Sequence, residues 1–237
     1  MLDLQSMLML TALSGLAMPL GALLAKVERI QSDWLESELR HSIIAFAAGA
    51  LLSAIALVLV PQGIEHLTAF WACIMFIAGG FGFMLVDTVL EKWNTPGSQL
   101  AAMLADFIPE SLALGALFSI GGNDAALLAL LIGLQNLPEG FNSYRELMKN
   151  GHFSANKLIL LFVALAFLGP FSGFIGYQWL AEEPQLLSGI MLFAAGGIMY
   201  SIFQDIAPNV PLKKHRFPPM GAVLGFVLGL LGHMLSA

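Results

Sequence analysis

Two short runs near the middle of the chain hold the side chains with the most chemistry to offer. Asp106-Phe107-Ile108-Pro109-Glu110-Ser111 and Gln135-Asn136-Leu137-Pro138-Glu139-Gly140 align residue for residue, and each places an oxygen donor four positions before a glutamate that follows a proline. Residues three or four apart share a helical face, so Asp106 stacks on Glu110 and Gln135 on Glu139, with Asn136 one turn before Glu139. Each proline lacks the N–H that would bond the carbonyl four residues earlier, which frees the oxygens of Ala105 and Leu134. The oxygen ligands Asp106, Glu110, Gln135, Asn136 and Glu139 form the expected metal site. Such a set suits a hard or borderline dication. No catalytic residue is expected, and the chain is not read as an enzyme.

The elements that must position these donors are read from composition. Of 237 residues, 58% are hydrophobic and 11% charged, and mean hydropathy is +0.81. No single soluble core of this length requires so much apolar chain. Uncharged runs close to the roughly 20 residues that span hydrocarbon recur at Met7 to Ala25, Ser42 to Ile64, Leu67 to Val86, Leu158 to Ala181, Pro184 to Gln204 and Phe217 to Leu231. Two more, Pro96 to Ile120 and Ala125 to Met148, have the length but carry acids inside. The expected fold is all-α: one polytopic membrane domain over residues 1–237, with eight transmembrane helices at about 7–25, 42–62, 67–90, 97–120, 124–148, 157–180, 185–207 and 217–236. The lone Cys73 excludes an internal disulfide and a cysteine metal cluster. Met1-Leu2-Asp3 lacks the basic flank of a signal peptide, so the first span is expected to remain.

The ten basic residues fall in alternate loops: Lys26, Arg29 and Arg40, then Lys92, then Arg145, Lys149 and Lys157, then Lys213, Lys214 and Arg216. Positive-inside logic puts those loops in the cytoplasm and both termini outside. This arrangement fits a multi-pass protein of the plasma (cell inner) membrane, with the lipid bilayer as partner and no nucleic acid. The donors then sit about ten residues from the cytoplasmic ends of their helices, near mid-membrane. Three carboxylates there cost about 3 kcal/mol each, or roughly 9 kcal/mol together. No basic residue shares that depth, and Arg145 is expected to meet Glu146 or a lipid phosphate. A bound dication or partial protonation would offset the cost. Protonated, hydrogen-bonded acids that only glue helices are the alternative.

The chain also repeats itself. Phe46-Ala47-Ala48-Gly49 returns as Phe193-Ala194-Ala195-Gly196, and Pro61 as Pro208, at one offset of 147 residues. The first and sixth spans share a proline followed by glycine (Pro19-Leu20-Gly21, Pro170-Phe171-Ser172-Gly173), and the third and eighth share Gly82-Phe83 and Gly225-Phe226. Copies five helices apart run inverted, giving a 3+2+3 arrangement. Inverted repeats with proline-interrupted helices are a transporter pattern.

The run Asp106 to Ser111 resembles the fourth-helix His-Asn-x-Pro-Glu-Gly motif of ZIP (Zrt/Irt-like) metal permeases, and Gln135 to Gly140 closely resembles its fifth-helix counterpart. Phe46 to Pro61, Phe76 to Asp87, Gly169-Pro170 and Phe193 to Pro208 resemble the family's second, third, sixth and seventh helices. The resemblance implies an elevator-like or rocking carrier, usually a homodimer, that imports zinc, iron, manganese, cadmium or related ions as substrate rather than cofactor. The chain departs from the family where Asp106 replaces the usual His, Phe107 the usual Asn and Gly169 the usual sixth-helix Glu. In members with two adjacent metals those last two serve the second ion, so the resemblance implies a single-metal site here. Loss of imidazole shifts the expected preference toward manganese, ferrous iron or magnesium, with zinc still able to bind.

Gln204 and Asp205 are the expected exit path, with an interfacial role for Asp205 the alternative; Asp87 is a helix-end residue or a second exit residue. Glu65 and His66 could load metal on the outer side, and His41, His152 and His215 are expected to do nothing specific. Met103 lies three before Asp106. Beside the carrier stand a transport-inactive metal sensor or membrane partner protein, and an intramembrane metal-dependent hydrolase. The last is disfavoured because no His lies in either donor run.

Overall fold

The structure is a computed structural model and describes residues 4–28, 33–93, 96–121, 125–149, 153–180, 182–210 and 217–236. All regular structure among the described residues is helical, arranged as eight rods. They are α1 (Leu4–Val27), α2 (Asp33–Ala54, continued through Ile55–Leu59 and Val60–Ile64), α3 (Ala69–Trp93) and α4 (Pro96–Ser119). The rest are α5 (Ala125–Lys149), α6 (Ala155–Ala166, then Leu168–Ile175 and Gly176–Leu180), α7 (Pro184–Ser201, then Ile202–Ile206 and Ala207–Asn209) and α8 (Pro218–Ser236).

Six stretches are long and apolar enough to cross a membrane: Leu4–Val27, Glu38–Ile64, Ala69–Leu90, Ala155–Leu180, Pro184–Gln204 and Pro218–Leu235. The protein is therefore a multi-pass membrane protein. The two remaining rods, α4 and α5, are those that carry the polar donors. Helices suit this chain because in hydrocarbon each backbone N–H and C=O must find its partner inside its own segment. Large apolar side chains such as Phe70, Ile77, Phe81 and Leu85 on α3 and Leu224, Leu231 and Leu235 on α8 face outward, as a lipid solvent permits.

The expected interruptions at Pro109 and Pro138 do not occur, because α4 and α5 are α-helical straight through both prolines. One missing donor in a long packed rod does not outweigh the remaining ladder. The helices change gauge elsewhere, in π-helical turns at Ile55–Leu59, Gly176–Leu180 and Ile202–Ile206. The first and third lie at the same 147-residue offset as the sequence repeat. Each leads into a proline, Pro61 or Pro208, whose ring would crowd the carbonyl four residues back in a regular α-turn. The wider π turn relieves that crowding.

Packing follows the repeat. α1 packs most extensively on α5 and α4 on α6, while α2 packs on α8 and α3 on α7. Exchanging α1 with α6, α2 with α7, α3 with α8 and α4 with α5 maps each pair onto another. Two groups of four result, α1/α4/α5/α6 and α2/α3/α7/α8. Gly49 and Gly196, the last residues of the repeated tetrapeptide, do the same work: a Cβ on Gly49 would overlap the carbonyl oxygen of Ala222 on α8, and one on Gly196 that of Phe76 on α3. Close backbone approach between apolar helices needs such small residues. The register of the third and eighth rods differs from the Gly-Phe match: Gly225 abuts the Phe46 carbonyl and Gly79, not Gly82, abuts the equivalent Phe193 carbonyl. Gly79 is thus the counterpart of Gly225.

Polar ties gather at one end of the first group. Lys26 Nζ donates to Asn156 Oδ1 at 2.9 Å. Arg145 Nη1 lies 3.4 Å from Glu28 Oε2, and its guanidinium stands 5.8 Å from the centre of the Phe141 ring. Glu28 is thus a partner of Arg145 beyond the expected Glu146 and lipid phosphate, because the end of α1 returns beside the end of α5.

Candidate metal centre

The donor runs meet where α4 lies against α5. Proline leaves both helices intact, so the i, i+4 spacing is realised. Glu110, Gln135 and Asn136 are each 1% exposed, and Asp106 and Glu139 are half-buried. Gln135 Nε2 donates to Glu110 Oε2 at 2.5 Å, joining the two helices inside the protein. The second oxygen of each, Glu110 Oε1 and Gln135 Oε1, is buried without a hydrogen-bond partner, and so is Glu139 Oε2. Asn136 turns toward α1, its Nδ2 donating to the Ser14 carbonyl at 2.9 Å, while its Oδ1 is buried and unmatched. Asp106, Glu110 and Glu139 lie near enough for their charges to act on one another.

Burying a polar atom without a partner costs about 1–3 kcal/mol, more for a charged one. Four acceptors from Glu110, Gln135, Asn136 and Glu139 stand in that condition, and acceptors are what a cation uses. No group of three or more His, Cys, Asp or Glu among the described residues is drawn together tightly enough to hold an ion. Two of the four acceptors are amide oxygens, and the Gln135 N–H occupies one Glu110 oxygen. A half-turn of that amide exchanges its N–H for its oxygen and opens both residues to a ligand.

Phe107, beside Asp106, is 1% exposed, and its ring fills the space between α1 and α6. A Cβ on Gly169 would lie 2.6 Å from its Cζ, and one on Gly15 3.0 Å from it. Ring and glycine are complementary: a larger residue at either α6 Gly169 or α1 Gly15 would strike the phenyl. Met103 is buried one turn earlier on the same helix.

Other expected residues lie apart. Gln204 is exposed and the Asp205 side chain lies outside the described residues. Asp87 accepts a hydrogen bond from the Tyr200 hydroxyl at 3.1 Å, a tie between α3 and α7. Glu65 and His66 are exposed, His41 is half-buried, and His152 and His215 lie outside the described residues, as do Lys213, Lys214 and Arg216. Sequence reasoning passed over Asn142, whose Oδ1 is also buried and unmatched. Asn142 stands three residues after Glu139, but it lines a separate apolar cavity between α1, α2 and α5. No protein-family model matches this chain, and no curated protein matches it either.

Proposed function

We propose that the chain carries divalent metal cations across the membrane through a single site on α4 and α5. The observation that supports it best is the set of buried, unmatched oxygens on Glu110, Gln135, Asn136 and Glu139, which a dication would match. The resemblance to ZIP permeases agrees with this reading, as does the packing of Phe107 against Gly169, which leaves the place of a second ion filled with hydrocarbon. On this reading all eight rods span the plasma membrane, both termini lie outside, and the working unit is a homodimer. The group α1/α4/α5/α6 moves the bound ion against the group α2/α3/α7/α8, with Gln204 and Asp205 on the way out. Oxygen-only ligation favours manganese or ferrous iron, with zinc and cadmium still accommodated by intrinsic affinity.

The Glu110–Gln135 hydrogen bond favours one second reading, a metal-responsive or partner protein without flux, because it satisfies part of the donor set with no ion bound. Liposomes separate the two. Vesicles holding the purified chain and an internal metal-sensitive dye are offered Mn²⁺, Fe²⁺, Zn²⁺, Cd²⁺ and Mg²⁺ in turn. The carrier reading expects uptake of at least one ion above that of empty vesicles, lost in Glu139→Ala although the variant inserts. Flux equal to that of empty vesicles for every ion removes it.

A further inference from the structure

A partly open cavity of about 160 Å³ lies between α1, α2 and α5, and none of the five donor residues lines it. Its wall is almost wholly apolar, formed by Leu24, Ile43, Ile44, Leu137, Pro138 and Phe141. An apolar cavity of about 150 Å³ stays dry and takes a hydrocarbon guest instead. Polar atoms occur toward its basic end, where α1 and α5 finish and α2 begins. Arg145 and Glu28 neutralise one another there at 3.4 Å. Arg40 remains as the net positive charge of the rim, and its Nε is buried without a hydrogen-bond partner. Asn142, also on the cavity wall, presents an unmatched oxygen.

We infer that this cavity binds one anionic phospholipid of the phosphatidylglycerol type, its phosphate on Arg40 and a section of acyl chain between α2 and α5. The headgroup supplies both missing partners, a phosphodiester oxygen for the Arg40 N–H and a glycerol hydroxyl for the Asn142 oxygen. A hydrated cation path is the wrong occupant, because the wall offers almost no polar atoms and its lining holds one more guanidinium than carboxylate. The lipid reaches Pro138, next to Glu139, and so props the donor helix where it faces α1 and α2. The site rests on the membrane character of the chain and not on metal transport.

The test is native mass spectrometry of the full chain, released from detergent in a metal-chelating buffer with equal amounts of dioleoyl phosphatidylglycerol and dioleoyl phosphatidylcholine. One phosphatidylglycerol is retained in preference to phosphatidylcholine by about fivefold, the worth of one basic residue facing an anionic lipid. Arg40→Gln brings the ratio close to one, Arg40→Lys keeps it, and Ile44→Trp, which fills the cavity, lowers retention of both lipids with Arg40 still in place. Glycerol 3-phosphate, a headgroup without tails, does not compete. Equal retention of the two lipids by the unaltered chain, an unchanged ratio in Arg40→Gln, or displacement by glycerol 3-phosphate overturns the inference. Because chelator is present throughout, none of these outcomes depends on the fate of the carrier reading.

Discussion

Two pairs of repeated helices have fared differently. In α2 and α7 the copies agree down to the backbone: π turns at Ile55–Leu59 and Ile202–Ile206, and Gly49 and Gly196 each pressed on a neighbouring carbonyl. In α4 and α5 the copies share Pro-Glu and little else around it. Asp106 answers Gln135, and Phe107, packed between α1 and α6, answers Asn136, bonded to the Ser14 carbonyl. Backbone-to-backbone packing tolerates one residue type at each position, so both copies keep it. On the proposed reading α4 and α5 hold a ligand set, which is judged by its sum, and its two halves are at liberty to differ.

This contrast can be broken or sharpened by substitution. The largest effect is expected in the donor helices, where Glu139→Ala and Glu110→Ala each abolish dye-reported metal uptake while Glu→Gln at Glu110 retains part of it, since Gln135 already bonds one of that residue's oxygens. Next come Gly49→Leu and Gly196→Leu. Each forces two helices apart and costs about 3 kcal/mol or more of resistance to denaturant; a large difference between the two would break the symmetry argument. Phe107→Asn with Gly169→Glu together should open a second ion position, read as two bound metals per chain by elemental analysis, whereas Gly169→Glu alone strikes the phenyl and lowers stability. Asn136→Leu loses the bond to Ser14 and frees that carbonyl, at about 1–2 kcal/mol. Smallest is Arg145→Gln, which breaks a partly exposed ion pair worth at most about 1 kcal/mol in a thermal melt.

Much of this architecture was legible in the residues. Long apolar runs dictate helices because lipid offers the backbone no partners, and the observed rods depart from the expected limits mostly by a few residues at their ends, α2 excepted, which begins at Asp33 rather than near Ser42. That extension, Asp33 to His41, is polar and invisible to a hydropathy argument. The meeting of the two polar runs was legible as well, since a carboxylate inside an apolar run must find a polar neighbour, and Glu110 finds Gln135. Three things were not. Whether a proline breaks a helix depends on the neighbours that hold it, so Pro109 and Pro138 misled where Pro61 and Pro208 coincide with widened turns. The Arg145–Glu28 pair joins residues more than a hundred positions apart, and only tertiary packing brings them together. The register of α3 against α7 hinges on Gly79, one of several glycines in its run, and composition alone does not choose among them.

The twin widened turns carry one more consequence. A π turn is an α-helix that has gained a residue, and its i→i+5 bonds take up the gain within one wider turn, so that the helix beyond it keeps its direction. Removing a single residue from Ile55–Leu59 would let the rod close to an ordinary α-helix with Pro61 and Gln62 still on nearly the same side of it, but with the ring of Pro61 brought back against the carbonyl four residues earlier. Removing one from Ile202–Ile206 would do the same to Pro208 in the other copy. The spare residue at these two places is therefore slack for a proline, and its loss would be felt as crowding within the helix and not as a new heading for its far end.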